Sequence, residues 1–118
     1  MILQDILNKL GLEDRINLIV GNSNEIVLCD NYDFIFIDGD HSFEAAKNDH
    51  NKWGAIVKVG GFIIHHDMGK ERRFSTQGDE LSRLRSDILL NQQKDLRLFR
   101  EAGSITVFQR ISSSWQEI

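Results

Sequence analysis

The sequence predicts an α/β fold, in which helices alternate with the strands of a doubly wound, mostly parallel sheet. Apolar residues at helical spacing alternate with short continuous apolar runs along the chain, which is the pattern of such a sheet. The strongest run, Tyr32–Ile37, is apolar on both faces, as in a central strand that helices cover on both sides. Near the end, two apolar runs separated by a glycine-containing turn predict an antiparallel hairpin at the sheet edge.

The first third of the chain is predicted to hold a helix and then a strand. Residues 3–10 repeat leucine and isoleucine at helical spacing, and Gly11 is a natural helix stop. Residues 16–20 form a short apolar run that leads into a turn at residues 21–23. We expect this run to be a strand that pairs in parallel beside Tyr32–Ile37, through a connection that is short for a crossover.

The middle of the chain predicts a helix followed by a second buried strand. Ser42 is suited to cap a helix, and an apolar face begins at Phe43 and continues at steps of three and four residues. The pair Gly60 and Gly61 is interpreted as the turn into a strand at residues 62–65.

The remainder predicts a loop, a helix, the hairpin and a tail. Residues 69–79 are polar and contain glycine, which indicates a loop, and apolar spacing at residues 81–89 predicts an amphipathic helix. The hairpin is expected at residues 96–108. Residues 112–118 are expected to be a frayed tail, so we divide the chain into one domain at residues 1–111 and a tail at 112–118.

Composition and charge limit the classes of function. The 118 residues carry a formal charge of −4 and are 41% hydrophobic and 27% charged, as in an ordinary soluble globular protein. The acidic balance argues against a nucleic-acid or anionic-membrane partner, and no apolar run approaches the roughly 20 residues of a membrane-spanning helix. Cys29 is the one cysteine, so an internal disulfide is excluded and a cytoplasmic setting is expected.

Polar residues follow three of the predicted strands, at residues 21–23, 38–41 and 65–67. The carboxyl ends of parallel strands meet at one edge of a sheet, where ligands bind in this class of fold. If the last two of these strands are neighbours, the backbones of Asp38 and Asp67 lie roughly 5 Å apart. Carboxylates this close repel unless one is protonated or a cation lies between them, which makes both candidates for a Mg²⁺ site.

Structural roles remain open for several of these residues. Asp38 and Asp40, taken singly, are as readily turn formers or helix caps as functional groups. His65 and His66 point to opposite faces if they lie on a strand, so the two are not expected to bind one ion. The histidine and the tryptophan on the predicted helical stripe, His50 and Trp53, are expected to be packing residues.

Two segments closely resemble the second half of class I S-adenosylmethionine-dependent methyltransferases. They are residues 32–43, with the sequence YDFIFIDGDHSF, and residues 60–67, with the sequence GGFIIHHD. The nearest subgroup resembles the small-molecule O-methyltransferases related to catechol and macrolide-sugar methyltransferases, and residues 20–23 resemble that family's adenine-contacting turn. The resemblance implies a Rossmann-like fold and O-methylation of a small-molecule substrate with S-adenosylmethionine.

The resemblance also implies roles for individual residues. Asp38 and Asp67 fall on metal-ligand positions of the metal-dependent members, whose third ligand is often Asp or Asn, where this chain has Met68. A general base is expected shortly after Asp38, at Asp40 or His41, where it would take a proton from the acceptor hydroxyl. The residues implied in cofactor binding are Gly21, Asn22, Ser23 and Asp38.

The sequence departs from the family pattern at its front. No glycine-rich strand-to-helix turn precedes residue 3, and the acidic strand end that binds the cofactor ribose is missing. Three hypotheses follow: a methyltransferase whose front half is lost or supplied by another polypeptide, a non-catalytic remnant, and a binding or oligomerisation module that reuses the sheet. The truncated fold leaves a strand edge open, which favours a homodimer.

Overall fold

The computed structural model describes residues 2–29, 31–40, 42–69 and 78–118. Helices and strands alternate over most of this part of the chain, and none of the helices is long and apolar enough to cross a membrane. The elements are α1 (Ile2–Lys9), β1 (Tyr32–Ile37), α2 (Phe43–Gly54), β2 (Val57–His65), α3 (Gly78–Asn91), β3 (Leu96–Ala102) and β4 (Ile105–Arg110).

The four strands form one sheet in the order β1-β2-β4-β3. β1 and β2 pair in parallel, and β4 pairs antiparallel with both β2 and β3. Three of these strands therefore run in the same direction, and the hairpin β3–β4 supplies the one reversed strand. The predicted α/β class, with a mostly parallel sheet and a carboxy-terminal antiparallel hairpin, is confirmed.

The hydrophobic core lies between one face of the sheet and the helices α2 and α3. Ile37, Ile63 and Phe108 point into it from three neighbouring strands. α2 begins where the sequence predicts because the Ser42 hydroxyl accepts a hydrogen bond from the Ala45 amide at 3.3 Å, which caps the helix. The helices contribute apolar residues at steps of three and four, among them Phe43, Ala46, Leu81, Leu84 and Ile88.

The prediction of a strand at residues 16–20 is wrong. These residues lie in neither a strand nor a helix, and β1 is an edge strand that pairs with β2 alone among the described strands. A strand needs a neighbour to pair its backbone groups, and a parallel crossover usually takes a dozen or more residues. The Ile16 amide instead donates to the Leu12 carbonyl oxygen at 3.0 Å, in a turn after α1.

The second buried strand begins earlier than predicted. β2 starts at Val57, and Gly60 and Gly61 lie inside it instead of forming a turn before it. Gly60 has a φ of +87°, which favours glycine. A Cβ on Gly61 would lie 2.5 Å from the Asp33 carbonyl oxygen, so the missing side chain is what lets β1 and β2 approach each other here.

The predicted helices are present, and most of the predicted loop lies outside the described residues. α1 and α3 cover the residues at which helices were expected. The loop predicted at residues 69–79 falls largely outside the described residues, and its last two residues, 78 and 79, lie in α3 and not in a loop.

The carboxy-terminal residues 112–118 contain no helix or strand, yet they are packed and not frayed. Trp115 lies against Gly54 and donates from Nε1 to the Asn51 carbonyl oxygen at 3.1 Å. The Asn51 side chain pairs with the backbone N–H and carbonyl of Ile118, at 3.0 and 2.9 Å. The Asp95 carboxylate accepts hydrogen bonds from two serine hydroxyls of the tail at 2.7 and 2.6 Å. These polar contacts fix the tail against α2 and against the segment between α3 and β3.

Candidate cofactor cleft and carboxylate site

β1 and β2 end side by side, and an acidic residue follows each strand. Ile37 lies opposite His65 in the parallel register, and the His66 amide donates to the Ile37 carbonyl oxygen at 3.1 Å. Asp38 and Asp67 are thereby brought to the same edge of the sheet, as the sequence predicts. One ligand atom from each of Asp38, His66 and Asp67 lies within 4.8 Å of the others.

His66 lies between the two carboxylates. Its Nδ1 is 3.3 Å from an oxygen of Asp38 and 3.0 Å from an oxygen of Asp67. This nitrogen is buried and has no hydrogen bond of good geometry within the described residues. The neighbouring His65 points into the core and is 2% exposed. The two histidines therefore point to opposite faces, as expected, and only His66 belongs to the site.

The donor set at this site does not fit Mg²⁺. The residue after Asp67 is Met68, a thioether that packs in the core and is fully buried. The third potential ligand is the imidazole nitrogen of His66, whereas Mg²⁺ takes oxygen ligands in near-octahedral geometry. Two carboxylates and an imidazole suit a borderline transition metal such as Zn²⁺ better. The expected Mg²⁺ site is thus not supported.

The backbone that carries Asp67 is tightly held. Asp67 has a φ of +62°, in the left-handed region that few residues other than glycine adopt. The Gly69 amide donates to the Ser104 carbonyl oxygen at 3.0 Å, and a Cβ on Gly69 would lie 2.4 Å from the Gly103 carbonyl oxygen. The turn between β3 and β4 therefore fixes the segment that aims the Asp67 carboxylate.

Of the two candidate bases, Asp40 lies within the described residues. The Asp40 carboxylate accepts a hydrogen bond from the Ser42 amide at 2.8 Å, so it shapes the turn into α2. His41 lies outside the described residues. The catalytic roles of Asp40 and His41 stay predictions.

A cleft of about 430 Å³ runs beside β1. Four successive residues, 34–37, line it, and because successive side chains of a strand point to opposite faces, the cleft follows the strand's outer edge. Asp38 also lines the cleft, so the cleft and the carboxylate site meet at this residue. The other walls come from α2 and from residues 19–28, chiefly Asp49, Trp53, Ile19, Ile26 and Leu28.

The turn at residues 21–23 contributes one of its three residues to the cleft. Ser23 lines the wall, and its hydroxyl donates to Asp49 at 3.0 Å while Lys52 Nζ donates to the Ser23 carbonyl oxygen at 2.5 Å. The Asn22 side chain instead accepts a hydrogen bond from the backbone amide two residues later, at 2.9 Å. Gly21 is not among the lining residues. Asn22 and Gly21 therefore shape the turn that presents Ser23.

Sequence reasoning missed two residues of the cleft wall. It assigned Trp53 to packing and did not single out Asp49, yet both line the cleft. Their spacing of four residues on α2 puts them on one side of the helix, which is the signal that could have found them. Trp53 is half-buried, and such a ring can stack against a flat ligand ring.

A buried histidine pair lies in the core beneath this edge of the sheet. His50 Nδ1 and His65 Nε2 are 2.9 Å apart, and His50 Nε2 is 2.6 Å from Gln92 Oε1. Burial lowers the pKa of His50 to about 4, against the opposing effect of the Gln92 hydrogen bond. Burial, with a smaller contribution from His50, also lowers the pKa of His65 well below its ordinary value. The pair is neutral near pH 7 and structural, as expected for His50.

The fold and the position of the site define a class of protein, and a comparison identifies the family. The polar site lies at the carboxyl ends of parallel strands, which is the ligand-binding position of Rossmann-like folds. A family model described as a methyltransferase domain matches residues 3–68. The chain belongs to this methyltransferase domain family.

Solved structures show the same fold. The SAH-bound methyltransferase of Podospora anserina is similar with a TM-score of 0.67 and 15% identity, over 92% of this chain and 55% of that one. A candidate O-methyltransferase from Klebsiella pneumoniae has a TM-score of 0.64 and 15% identity, over 92% and 56%. The chain spans little more than half the length of these structures.

Proposed function

We propose that the chain forms the carboxy-terminal part of an S-adenosylmethionine-dependent methyltransferase that methylates a hydroxyl oxygen of a small molecule. The observation that carries this proposal is the meeting of the cleft and the carboxylate site at Asp38. A ligand held in the cleft would reach the edge of the sheet where Asp38 and Asp67 stand. Family membership and the SAH-bound Podospora structure support this choice of cofactor.

The cleft has the chemistry to hold the adenosine part of the cofactor. Its walls are mostly apolar side chains, with the Trp53 ring available for stacking against adenine. Ser23 and Asp38 are the lining residues among the four predicted for cofactor binding. Asp38, which is exposed, would accept hydrogen bonds from ligand hydroxyl or amino groups. Gly21 and Asn22 would act by positioning Ser23.

The bound cofactor would supply an electrophilic methyl group, and the chain would prepare the acceptor oxygen. A base beside Asp38 removes the hydroxyl proton, and Asp40 and His41, which lie between Asp38 and α2 in the sequence, remain the candidates for it. The site orients the resulting oxygen in line with the methyl group, since positioning supplies much of the rate in such reactions.

Isothermal titration with S-adenosylhomocysteine tests cofactor binding. We expect weak binding, because the chain provides only one side of a cofactor site, and a loss of about tenfold for Asp38→Asn, since it removes a charged hydrogen-bond acceptor. The matched control is Asp33→Asn, which makes the same change on β1 at a residue that does not line the cleft. Absence of binding at millimolar ligand would contradict the claim that this chain holds the cofactor in its cleft and would remove the catalytic claim for the chain alone.

We also propose that Asp38, His66 and Asp67 bind a borderline divalent cation in place of Mg²⁺. An ion that binds only the folded chain raises its melting temperature. Zn²⁺ is expected to raise it and Mg²⁺ to have little effect, and Asp38→Asn combined with Asp67→Asn should abolish the Zn²⁺ shift. Equal melting temperatures with and without Zn²⁺ would refute the metal site and leave the cofactor proposal standing.

A further inference from the structure

Lys52 lies behind the wall of the cleft and contacts two residues that form it. It belongs to α2 but is not among the residues that line the cleft, whereas Ser23 and Trp53 are. Its Nζ donates to the Ser23 carbonyl oxygen at 2.5 Å. The same nitrogen lies over the Trp53 ring, 4.7 Å from the ring centre. One ammonium group therefore joins the turn at residues 21–23 to an aromatic side chain of the helix.

Asp49 supplies a second link between the same helix and the same turn. Its carboxylate accepts a hydrogen bond from the Ser23 hydroxyl at 3.0 Å. Ser23 is thus held at its carbonyl oxygen by the cation of Lys52 and at its hydroxyl by the anion of Asp49. The two charged residues are three positions apart on α2, which puts them on one side of the helix. Both hydrogen bonds are partly buried, where the lower dielectric strengthens them.

We propose that Lys52 is a positioning residue of the cleft, which holds the turn and the Trp53 ring in place for a neutral, flat ligand ring such as adenine. This inference rests on the proposed function, because it takes the cleft to be the cofactor site. Since the ammonium covers one face of the indole, the ligand ring stacks on the opposite face. A wall that is fixed before the ligand arrives also needs no ordering when the ligand binds, which raises affinity.

The charge of Lys52 also biases the cleft against a positively charged ligand ring. A ligand ring stacked roughly 3.5 Å from the indole lies roughly 8 Å from Nζ, since Nζ is 4.7 Å from the ring centre. Repulsion between like charges at that distance, at an effective dielectric constant between those of the protein surface and water, lowers affinity about fivefold. The carboxylates of Asp38 and Asp49 act in the opposite sense, but they are unchanged in variants of Lys52.

Titration with adenosine and with 1-methyladenosine, followed by nuclear magnetic resonance, tests this inference. The two nucleosides have the same sugar, and the methylated ring carries a positive charge at neutral pH. Lys52→Met keeps an unbranched, helix-forming side chain and removes the charge. It should weaken adenosine binding about tenfold, and the ratio of the 1-methyladenosine to the adenosine dissociation constant should fall about fivefold. Lys52→Arg keeps the charge and should retain the wild-type ratio.

Lys47→Met is the matched control for the loss of a lysine charge. Lys47 lies on the same helix, and its Nζ lies over the Phe43 ring, 5.7 Å from the ring centre. Neither Lys47 nor Phe43 lines the cleft. The control therefore removes the same charge and the same kind of contact, and it should leave both dissociation constants unchanged. In spectra without ligand, Lys52→Met should shift the indole signal of Trp53, whereas Lys47→Met should not.

Two results would overturn the inference and leave the proposed function standing. In the first, Lys52→Met binds adenosine as tightly as the wild-type chain; in the second, both nucleosides lose affinity by the same factor, as a merely structural role of Lys52 requires. If the wild-type chain binds neither nucleoside at millimolar concentration, the proposed cofactor site fails and this inference fails with it. If Lys52→Met does not fold, as its melting curve would show, Lys52→Gln removes the same charge and the same two results decide.

Discussion

Acidification should destabilise this chain through the buried pair of His50 and His65. Gln92 Nε2 donates to the Gln116 carbonyl oxygen at 2.7 Å, which turns the Gln92 amide oxygen toward His50 and makes His50 Nε2 a donor. His50 Nδ1 then accepts from His65 Nε2 across 2.9 Å. A proton added to Nδ1 would leave two N–H groups facing each other, with the charge buried in the core.

The magnitude follows from the pKa of His50, which falls from 6.5 to about 4 on folding. Because the folded value is the lower one, the unfolded chain takes up the proton first as the pH falls. The contribution to stability is therefore present in full above the unfolded pKa and is lost as the pH falls toward 4. Linkage gives a loss of about 2 kcal/mol by about pH 5 and of about 3 kcal/mol when protonation is complete.

Urea denaturation at about pH 7.5 and about pH 5 measures this loss as a difference in the free energy of unfolding. His50→Gln is the matched variant, since it keeps a polar side chain at the position and removes the titrating group. The wild-type chain should lose about 2 kcal/mol more than the variant over this pH interval. Equal losses in the two proteins would refute the assignment of the acid sensitivity to His50.

Two further substitutions test the packing described above. Gly61→Ala should destabilise the chain by about 2 kcal/mol, because its Cβ would lie 2.5 Å from the Asp33 carbonyl oxygen; a loss below about 0.5 kcal/mol in urea would contradict the close approach of β1 and β2. Trp115→Ala should cost about 2 kcal/mol in the same assay, since the ring packs on Gly54 and donates to Asn51; an unchanged stability would show that the tail is frayed after all.

The strands that could be predicted from the sequence are those whose neighbours lie within this chain. Tyr32–Ile37 and the hairpin have partners in the sheet, and their apolar runs were sufficient to find them. Residues 16–20 have the same strand-like composition but pair with none of the strands that the structure describes. The composition of a segment shows its tendency to form a strand, whereas backbone pairing with a neighbouring strand decides whether the strand forms.

The predictions for the start of β2 and for the tail were wrong because the local sequence does not show what determines either structure. Apolar residues at helical spacing continue past Gly54 to Val57, but the backbone turns at residues 55–56 and β2 begins. Nothing local in residues 112–118 indicates order. They are held by Asn51 and Asp95, which are distant in sequence, so their order could not be read from the tail alone.

The candidate site was predictable where backbone topology determines it. Two strands ending in aspartate had to bring Asp38 and Asp67 together once the strands were neighbours. The position of His66 between the two carboxylates depends on the face of the sheet to which its side chain points, and the register of β2 determines that face. Trp53 and Asp49 line the cleft because α2 crosses the edge of β1, a tertiary relation that leaves only a faint signal in the sequence.

The most direct test of the central claim, that the cleft beside β1 holds a cofactor of the S-adenosylmethionine type, uses the two tryptophans of the chain. Trp53 lines the cleft, whereas the Trp115 indole N–H is bonded to the Asn51 carbonyl at the packed tail. In a proton–nitrogen correlation spectrum, added S-adenosylhomocysteine should shift the indole signal of Trp53 in a saturable manner and leave that of Trp115 in place. If neither signal moves, or both move together, the cleft does not bind this cofactor.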